Sequence, residues 1–270
     1  MYPGKSESCY TCGRAPDARV NDTIQAHFCS SRCRDLWQVR EAFDSRLAEI
    51  VILGQRGGKG AEGAISIIDD LRANWLDRDH DGWLDRSTRS HRAMILADHG
   101  QYEEALDDLR KVEARTPFGT DDYVLAKKSI SRTLEMAGRP EQALDELGLV
   151  IAAWEHLPRW TVPGLLGTYA DIASSAGINT EISCRDVLVT WADKVGMQMP
   201  VELAVANVRA AIADASAEWN RGIERFAALC KAIQDKPRET CEGIIGGYVA
   251  SEPIGHFRER ARRLLEEVAG

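Results

Sequence analysis

The sequence predicts an all-α protein with a small module at its N-terminus, and three observations support this prediction. Apolar residues recur at helical spacing along most of the 270 residues, and no alternating run of β-branched residues predicts a strand. One segment of the chain repeats at an offset of 38 residues. Four of the seven cysteines lie in the first 33 residues. The first two observations predict packed helix pairs, and the third predicts a separately stabilised module.

The charge balance limits the classes of partner. The net charge of −8 argues against a whole-surface electrostatic grip on nucleic acid or on an anionic membrane. The first 60 residues nevertheless carry nine basic and seven acidic side chains. Any contact with nucleic acid is therefore expected to be local to the N-terminal part.

The cysteine count and the first residues of the sequence predict where in the cell the protein is located. Seven cysteines, an odd number, suit a reducing environment better than a disulfide framework. The first residues do not resemble a signal peptide, and no apolar run approaches the roughly 18 residues of a membrane helix. We expect a cytoplasmic protein without a membrane partner.

The N-terminal cysteines have the spacing of a zinc site. Cys9 and Cys12 can supply two thiolates from one tight turn, and Cys29 and Cys33 lie on one face if a helix starts there. Ser30 or its neighbour is suited to cap that helix. About 30 residues cannot bury enough apolar surface to fold alone, so bound Zn²⁺ would supply the missing free energy. The alternatives are a redox dithiol pair and chance clustering.

The segment "FCSSRCRDLW" completes a resemblance to a known group of zinc modules. With the four cysteines it resembles treble-clef fingers that have an FCS-type second half, including the small DNA gyrase inhibitor family. The resemblance covers residues 9–37 and implies zinc and a knuckle followed by a helix. Members of that family are little more than the finger itself, so gyrase binding is not carried over to this chain.

A second dense motif is "DRDHDGWLDRST", residues 77–88. Its carboxylates stand at the first, third, fifth and ninth places of an EF-hand-like loop, with a glycine at the sixth. This order predicts a Ca²⁺ site formed by Asp77, Asp79, Asp81 and Asp85. Thr88 replaces the usual bidentate Glu, which should weaken or abolish calcium binding. The alternative is a solvated connection between two helices.

The repeat consists of "LADHGQYEEALDDL" and "LEMAGRPEQALDEL". The two copies align without gaps, and each predicts a helix, a tight turn at Gly100 or Gly138, and a second helix. Ala105 and Ala143 are small residues that let the paired helices approach closely. A degenerate third copy has the turn-like Gly177.

This pattern resembles tetratricopeptide repeats (TPRs), whose standard length is about 34 residues. The first copy matches the family at seven positions: Ala93, Leu96, Gly100, Ala105, Leu109, Val112 and Pro117. The second copy has Glu155 where the family has proline. The resemblance implies stacked helix pairs with an extended groove, a surface that commonly holds peptides or proteins. The periodic residues would equally form a packed core with no binding role.

No motif indicates an enzyme. The glycine-rich segment of residues 54–63 lacks the spacing of a phosphate-binding loop and is interpreted as a linker. We therefore expect three parts: a zinc finger over residues 1–40, a helical linker with the aspartate loop over residues 41–88, and a TPR-like array over residues 89–270.

The expected function is that of a non-enzymatic adaptor. A protein or peptide partner would bind the helical groove, and the zinc finger would serve as an anchor or second binding surface. The alternative is a nucleic-acid-binding regulator whose slightly basic finger contacts phosphate. The residues of that alternative are Arg14, Arg19, Arg32, Arg34 and Arg40.

Overall fold

The computed structural model describes residues 30–179, 181–199, 204, 207–234 and 236–269. Over these residues the chain is helical and contains no strand, which confirms the all-α prediction. The helices are α1 (Ser31–Gly54), α2 (Lys59–Trp75), α3 (Trp83–Asp98), α4 (Tyr102–Glu113), α5 (Asp121–Met136), α6 (Pro140–Ala152), α7 (Val162–Ser175), α8 (Glu181–Val195), α9 (Val208–Ile233), α10 (Arg238–Ser251) and α11 (Gly255–Ala269). Short 3-10 helices span Leu76–Arg78, Trp154–His156 and Arg159–Thr161.

The chain divides into two compact units. Among the described residues, the first unit runs to residue 117 and includes residues 136–138, and the second comprises residues 118–135 and those that follow residue 138. Among the described residues no helix combines the length and apolar character needed to cross a membrane.

The first unit has its core where α1, α2 and α3 meet. Phe43 and Ile50 of α1 pack with Ile68 of α2 and with Leu84 and Ile95 of α3, and all five are buried. The expected boundary between residues 88 and 89 therefore differs from the structure, because it falls inside α3 and the units divide after residue 117. The expected glycine-rich linker is a tight turn between α1 and α2 followed by the start of α2.

The predicted helix, turn and helix of each repeat copy are present. The first copy forms α3 and α4, the second forms α5 and α6, and the degenerate third forms α7 and α8. Ala105 and Ala143 are both fully buried, as expected for small residues at a close helix approach. The apolar repeat positions Leu109 and Leu147 are buried as well.

The first helix of each pair ends in the same hydrogen-bonded turn. Gly100, Gly138 and Gly177 have φ angles of 77°, 74° and 70°, a region that glycine adopts without steric cost. The amide of the next residue then donates to a carbonyl five residues back, from Gln101 to Leu96, Arg139 to Leu134 and Ile178 to Ala173, at 2.9, 2.9 and 2.8 Å. This Schellman geometry satisfies carbonyls that the helix end would leave unpaired and reverses the chain.

The last three helices of the second unit are joined by a buried ion pair. Glu252 follows α10 and is 3% exposed, and its carboxylate accepts two hydrogen bonds from Arg225 of α9, both at 2.8 Å. The same carboxylate accepts from the amide of Ile254 at 3.0 Å. Burial alone would raise the pKa of Glu252, but the hydrogen bonds from Arg225 and Ile254 outweigh it and hold that pKa below its usual range.

Helix α9 is continuous through Gly222. A Cβ at this position would lie 2.4 Å from Cε2 of Phe257 and 2.9 Å from Cδ1 of Ile254. Phe257 is 1% exposed and cannot move aside without disturbing the core. Gly222 is therefore required by the close approach of α11 to α9.

We predict that Gly222→Ala destabilises the protein by about 1–3 kcal/mol, because the added methyl group overpacks this contact. Gly148→Ala in α6 is the control, since no atom lies within 4 Å of a Cβ built there. The control should gain about 0.5–1 kcal/mol from helix propensity. Urea unfolding followed by circular dichroism measures both, and equal stabilities for the two variants would contradict the packing described.

Candidate functional site

The first turn of α1 presents one of the four predicted zinc ligands. Ser30 has extended backbone angles, and its hydroxyl accepts a hydrogen bond from the amide of Cys33 at 3.2 Å. This contact confirms Ser30 as the predicted cap. Cys33 is half-buried in the first turn of α1.

The remaining N-terminal site residues lie outside the described residues. These are Cys9, Cys12 and Cys29 of the predicted zinc site, and Arg14 and Arg19 of the alternative nucleic-acid surface. Cys33 stands at a helix start, a position that suits one ligand of a zinc site. Because the other three cysteines lie outside the described residues, the four-cysteine zinc site stays a prediction.

The aspartate loop leads into α3, and its carboxylates contact the start of that helix rather than converge on one cation position. Asp79 accepts hydrogen bonds from the amides of Leu84 and Asp85 at 3.0 and 2.9 Å, which satisfies two donors of the first helical turn. Asp81 accepts from the amide of Trp83 at 3.1 Å. Two of the four predicted calcium ligands therefore accept hydrogen bonds from the first-turn amides of α3, whose N-cap residue is Gly82.

The loop also contacts α1. Arg40 donates to Asp81 at 3.0 Å, and its guanidinium lies 5.6 Å from the ring centroid of Trp83. Arg32 donates to the carbonyl of His80 at 3.4 Å. The loop thus holds α1 against the start of α3.

Asp85, the fourth predicted calcium ligand, is buried in an ion-pair network. It is 4% exposed and contacts Arg72 at 2.6 Å, Arg89 at 3.1 Å and also Arg115. Burial alone would raise the pKa of Asp85, but the hydrogen bond and charge of Arg72, with the other two guanidiniums, hold that pKa below its usual range.

Asp108 of α4 extends the network. It is 1% exposed and contacts Arg89 at 2.7 Å and Arg92 at 2.6 Å. Arg89 contacts both carboxylates: its pair with Asp85 lies within α3, and its pair with Asp108 joins α3 to α4. Within the first unit, two carboxylates and four guanidiniums therefore form one connected cluster.

These partners do not fit a calcium loop. Asp77 is exposed, while Asp79, Asp81 and Asp85 each face a different set of donors. Thr88 is fully buried inside α3 and donates to the carbonyl of Leu84 at 2.6 Å. No group of three or more metal-binding side chains is assembled in the described part of the chain. We derive no calcium-dependent step from this loop.

Two of the three described arginines of the nucleic-acid alternative are partly neutralised, and the third, Arg32, contacts only a backbone carbonyl. Arg40 is paired with Asp81, and Nε of Arg34 lies 3.9 Å from a carboxylate oxygen of Asp35. The side chains of Arg34 and Arg40 are 41% and 40% exposed. This face of α1 mixes both signs of charge, so it does not form a uniformly basic stripe.

The second unit contains an open cleft between α7 and α9. Its volume is about 560 Å³. Small residues form much of both walls, with Gly164, Gly167 and Ala170 on α7, and Ala210 and Ala213 on α9. Such walls allow a bound chain to approach the helix backbones closely.

Charged residues stand along the same cleft. Asp171 accepts a hydrogen bond from Arg132 of α5 at 3.0 Å and another from Arg209 of α9 at 2.8 Å. Arg209 also donates to the hydroxyl of Ser174 at 3.0 Å. Asp171 and Arg209 line the cleft, so its apolar walls are accompanied by a polar edge.

Sequence reasoning did not single out the cleft residues. The small residues of α7 follow each other at ordinary helical spacing, and Asn207 looks like any polar residue before a helix. In the structure Asn207 caps α9 by accepting from the amide of Ala210 at 3.0 Å. One available signal among the described residues was the pair Gly164 and Gly167 inside α7, since helical glycine is unfavourable without a packing or binding reason.

Comparison with known protein families, with curated proteins and with solved structures finds no match to this chain.

We predict that Asp85→Asn lowers the free energy of unfolding by about 3 kcal/mol at neutral pH, because it leaves the partly buried guanidiniums of Arg72 and Arg89 without this buried counter-charge. Asp107→Asn is the control, since the Asp107 side chain is 63% exposed and its pair with Lys111 should contribute less than about 1 kcal/mol. Chemical denaturation gives both values.

The same pair of proteins tests the pH dependence. The pKa of Asp85 is lowered in the folded chain, so its contribution is complete above the unfolded pKa and is lost as pH falls through the folded pKa. The stability difference between wild type and Asp85→Asn should therefore shrink below about pH 4. A difference that stays constant to strongly acidic pH would contradict the charge network.

We predict that the purified chain contains stoichiometric zinc and loses it on Cys33→Ala, because that change removes one of four thiolates. Cys230→Ala is the control, since Cys230 is an exposed cysteine of α9. Elemental analysis after dialysis measures the metal. Equal zinc in both variants would exclude Cys33 as a ligand.

Proposed function

We propose that this chain is a non-enzymatic adaptor that binds a protein or peptide partner on its helical pairs. The predicted zinc finger acts as an anchor or second binding surface. The observation that carries the proposal is the cleft between α7 and α9, which is open and walled by small residues. Stacked helix pairs commonly use such grooves to hold an extended chain.

The TPR-like interpretation supports the same function. The helix, turn and helix of the repeat copies recur with the same glycine turn, and the small position of each second helix is buried in the first two copies. In this interpretation α7 is the first helix of the third copy. A groove lined by first helices would bring α7 and α9 to its surface, as in the cleft.

A cleft-filling variant tests the proposal. Gly167 lines the cleft, and a Cβ there would make only an ordinary 3.7 Å contact with Cγ2 of Ile212. Gly167→Met should therefore fold, because helix propensity favours Met over Gly, and should project its side chain into the cleft. Gly148→Met in α6 is the matched control, because the space around that position is open.

The measurement is affinity purification of the tagged full chain from its own cells, with and without nuclease. We expect a protein partner that survives nuclease, is retained by Gly148→Met and is reduced at least tenfold by Gly167→Met, about 1.4 kcal/mol or more. Partners that disappear on nuclease treatment would move the function to the nucleic-acid alternative. A partner retained fully by Gly167→Met would exclude the cleft.

A further inference from the structure

Lys128 of α5 places a positive charge beside Gly164, a residue that lines the cleft of the second unit, although Lys128 itself is not a lining residue. Its ammonium lies 3.4 Å from the position that a Cβ on Gly164 would occupy. Gly164 lines the cleft and has no side chain, so it leaves the ammonium uncovered on that side. The charge is held by a helix rather than by a mobile loop.

The ammonium of Lys128 has no hydrogen-bond acceptor or ion-pair partner among the described residues. The adjacent Lys127 shows the contrast, because its ammonium contacts Glu146 at 2.8 Å and its side chain is 8% exposed. Burial, together with the like charge of Arg132, lowers the pKa of Lys128. An anion placed against Lys128 would relieve both effects.

The charged residues beside Gly164 and Asp171 give this region an excess of positive charge, although the charged lining residues Asp171 and Arg209 balance each other. Arg132 contacts Glu135 at 2.9 Å and shares Asp171 with Arg209. Together with Lys128 these residues bring three positive charges and two carboxylates to one region. The excess of positive charge favours an acidic occupant, and the lone ammonium specifies where its carboxylate would lie.

The dimensions suit an extended segment. Gly164 and Asp171 are seven residues apart on α7, which corresponds to about 10 Å along the helix. An extended chain covers that length with about three residues. Glycine and alanine on both walls allow its backbone to lie close to α7 and α9.

We propose that the cleft binds an extended acidic peptide segment of the partner, with one of its carboxylates accepting hydrogen bonds from the ammonium of Lys128. This inference rests on the proposed adaptor function and identifies the chemistry of the partner. The segment is recognised by charge at Lys128 and by close backbone contact along the small-residue walls.

The test uses the full chain and a fluorescein-labelled oligo-glutamate peptide, with oligo-glutamine of the same length as the uncharged probe. Fluorescence anisotropy measures binding to wild type, Lys128→Met and Lys128→Arg. Lys231→Met is the matched control, because Lys231 is an exposed lysine near the end of α9. Thermal unfolding of each variant confirms that it is folded.

We expect oligo-glutamate to bind wild type and Lys231→Met alike and to lose about tenfold or more in affinity for Lys128→Met, with partial recovery in Lys128→Arg. Equal binding to Lys128→Met and wild type, or equal binding of oligo-glutamine, would overturn the proposal. A labelled single-stranded oligonucleotide that binds more tightly than oligo-glutamate and with the same Lys128 dependence would also overturn it.

The failure of this inference is distinguishable from failure of the adaptor function. If Gly167→Met abolishes partner capture while Lys128→Met retains it, the cleft holds a partner that Lys128 does not recognise. If neither variant affects capture, the cleft is not the partner site.

Discussion

The structure depends on how each helix ends. A helix that stops leaves its last carbonyl groups unpaired, and a second helix can pack back on it only if those groups are satisfied within a few residues. Gly100, Gly138 and Gly177 meet this need with the same left-handed backbone conformation. In each case the amide of the next residue donates a hydrogen bond to the carbonyl five residues back. The following helix can then return immediately, so its small residues reach the preceding helix.

Charge is buried in this fold where it is paired. In the first unit Asp85 and Asp108 each contact more than one guanidinium, and in the second unit Glu252 accepts two hydrogen bonds from the guanidinium of Arg225. Such pairs contribute mainly by fixing one arrangement of helices, because the cost of desolvation offsets much of their attraction. Lys128 is a partly buried lysine without such a partner among the described residues, and its position beside Gly164 of the open cleft is the reason for inferring a ligand there.

The sequence predicted the helices and their turns because those depend on local periodicity and on glycine. It predicted Ser30 as a cap for the same reason, since a cap contacts residues only a few positions away. The aspartate loop shows the limit. The order of its carboxylates matches a cation site. In the structure, however, Asp81 pairs with Arg40 and Asp85 pairs with Arg72, and neither arginine belongs to the loop.

The cleft could not be predicted for a related reason. Lys127 and Lys128 are neighbours in the sequence and identical in chemistry, and only the packing of α5 shows that one contacts Glu146 and the other faces Gly164. Likewise, Arg132 and Arg209 converge on Asp171 from separate helices. These assignments require the tertiary structure because each contact joins residues far apart in the chain.

The most direct test of partner binding in the cleft is site-specific photo-crosslinking in the protein's own cells. A photoreactive residue at Ala213, which lines the cleft, is compared with one at the adjacent exposed Asp214, which does not line it. The account predicts a defined crosslinked protein from position 213 and little or none from position 214. Crosslinking from position 214 alone, or no crosslink from position 213, would contradict it.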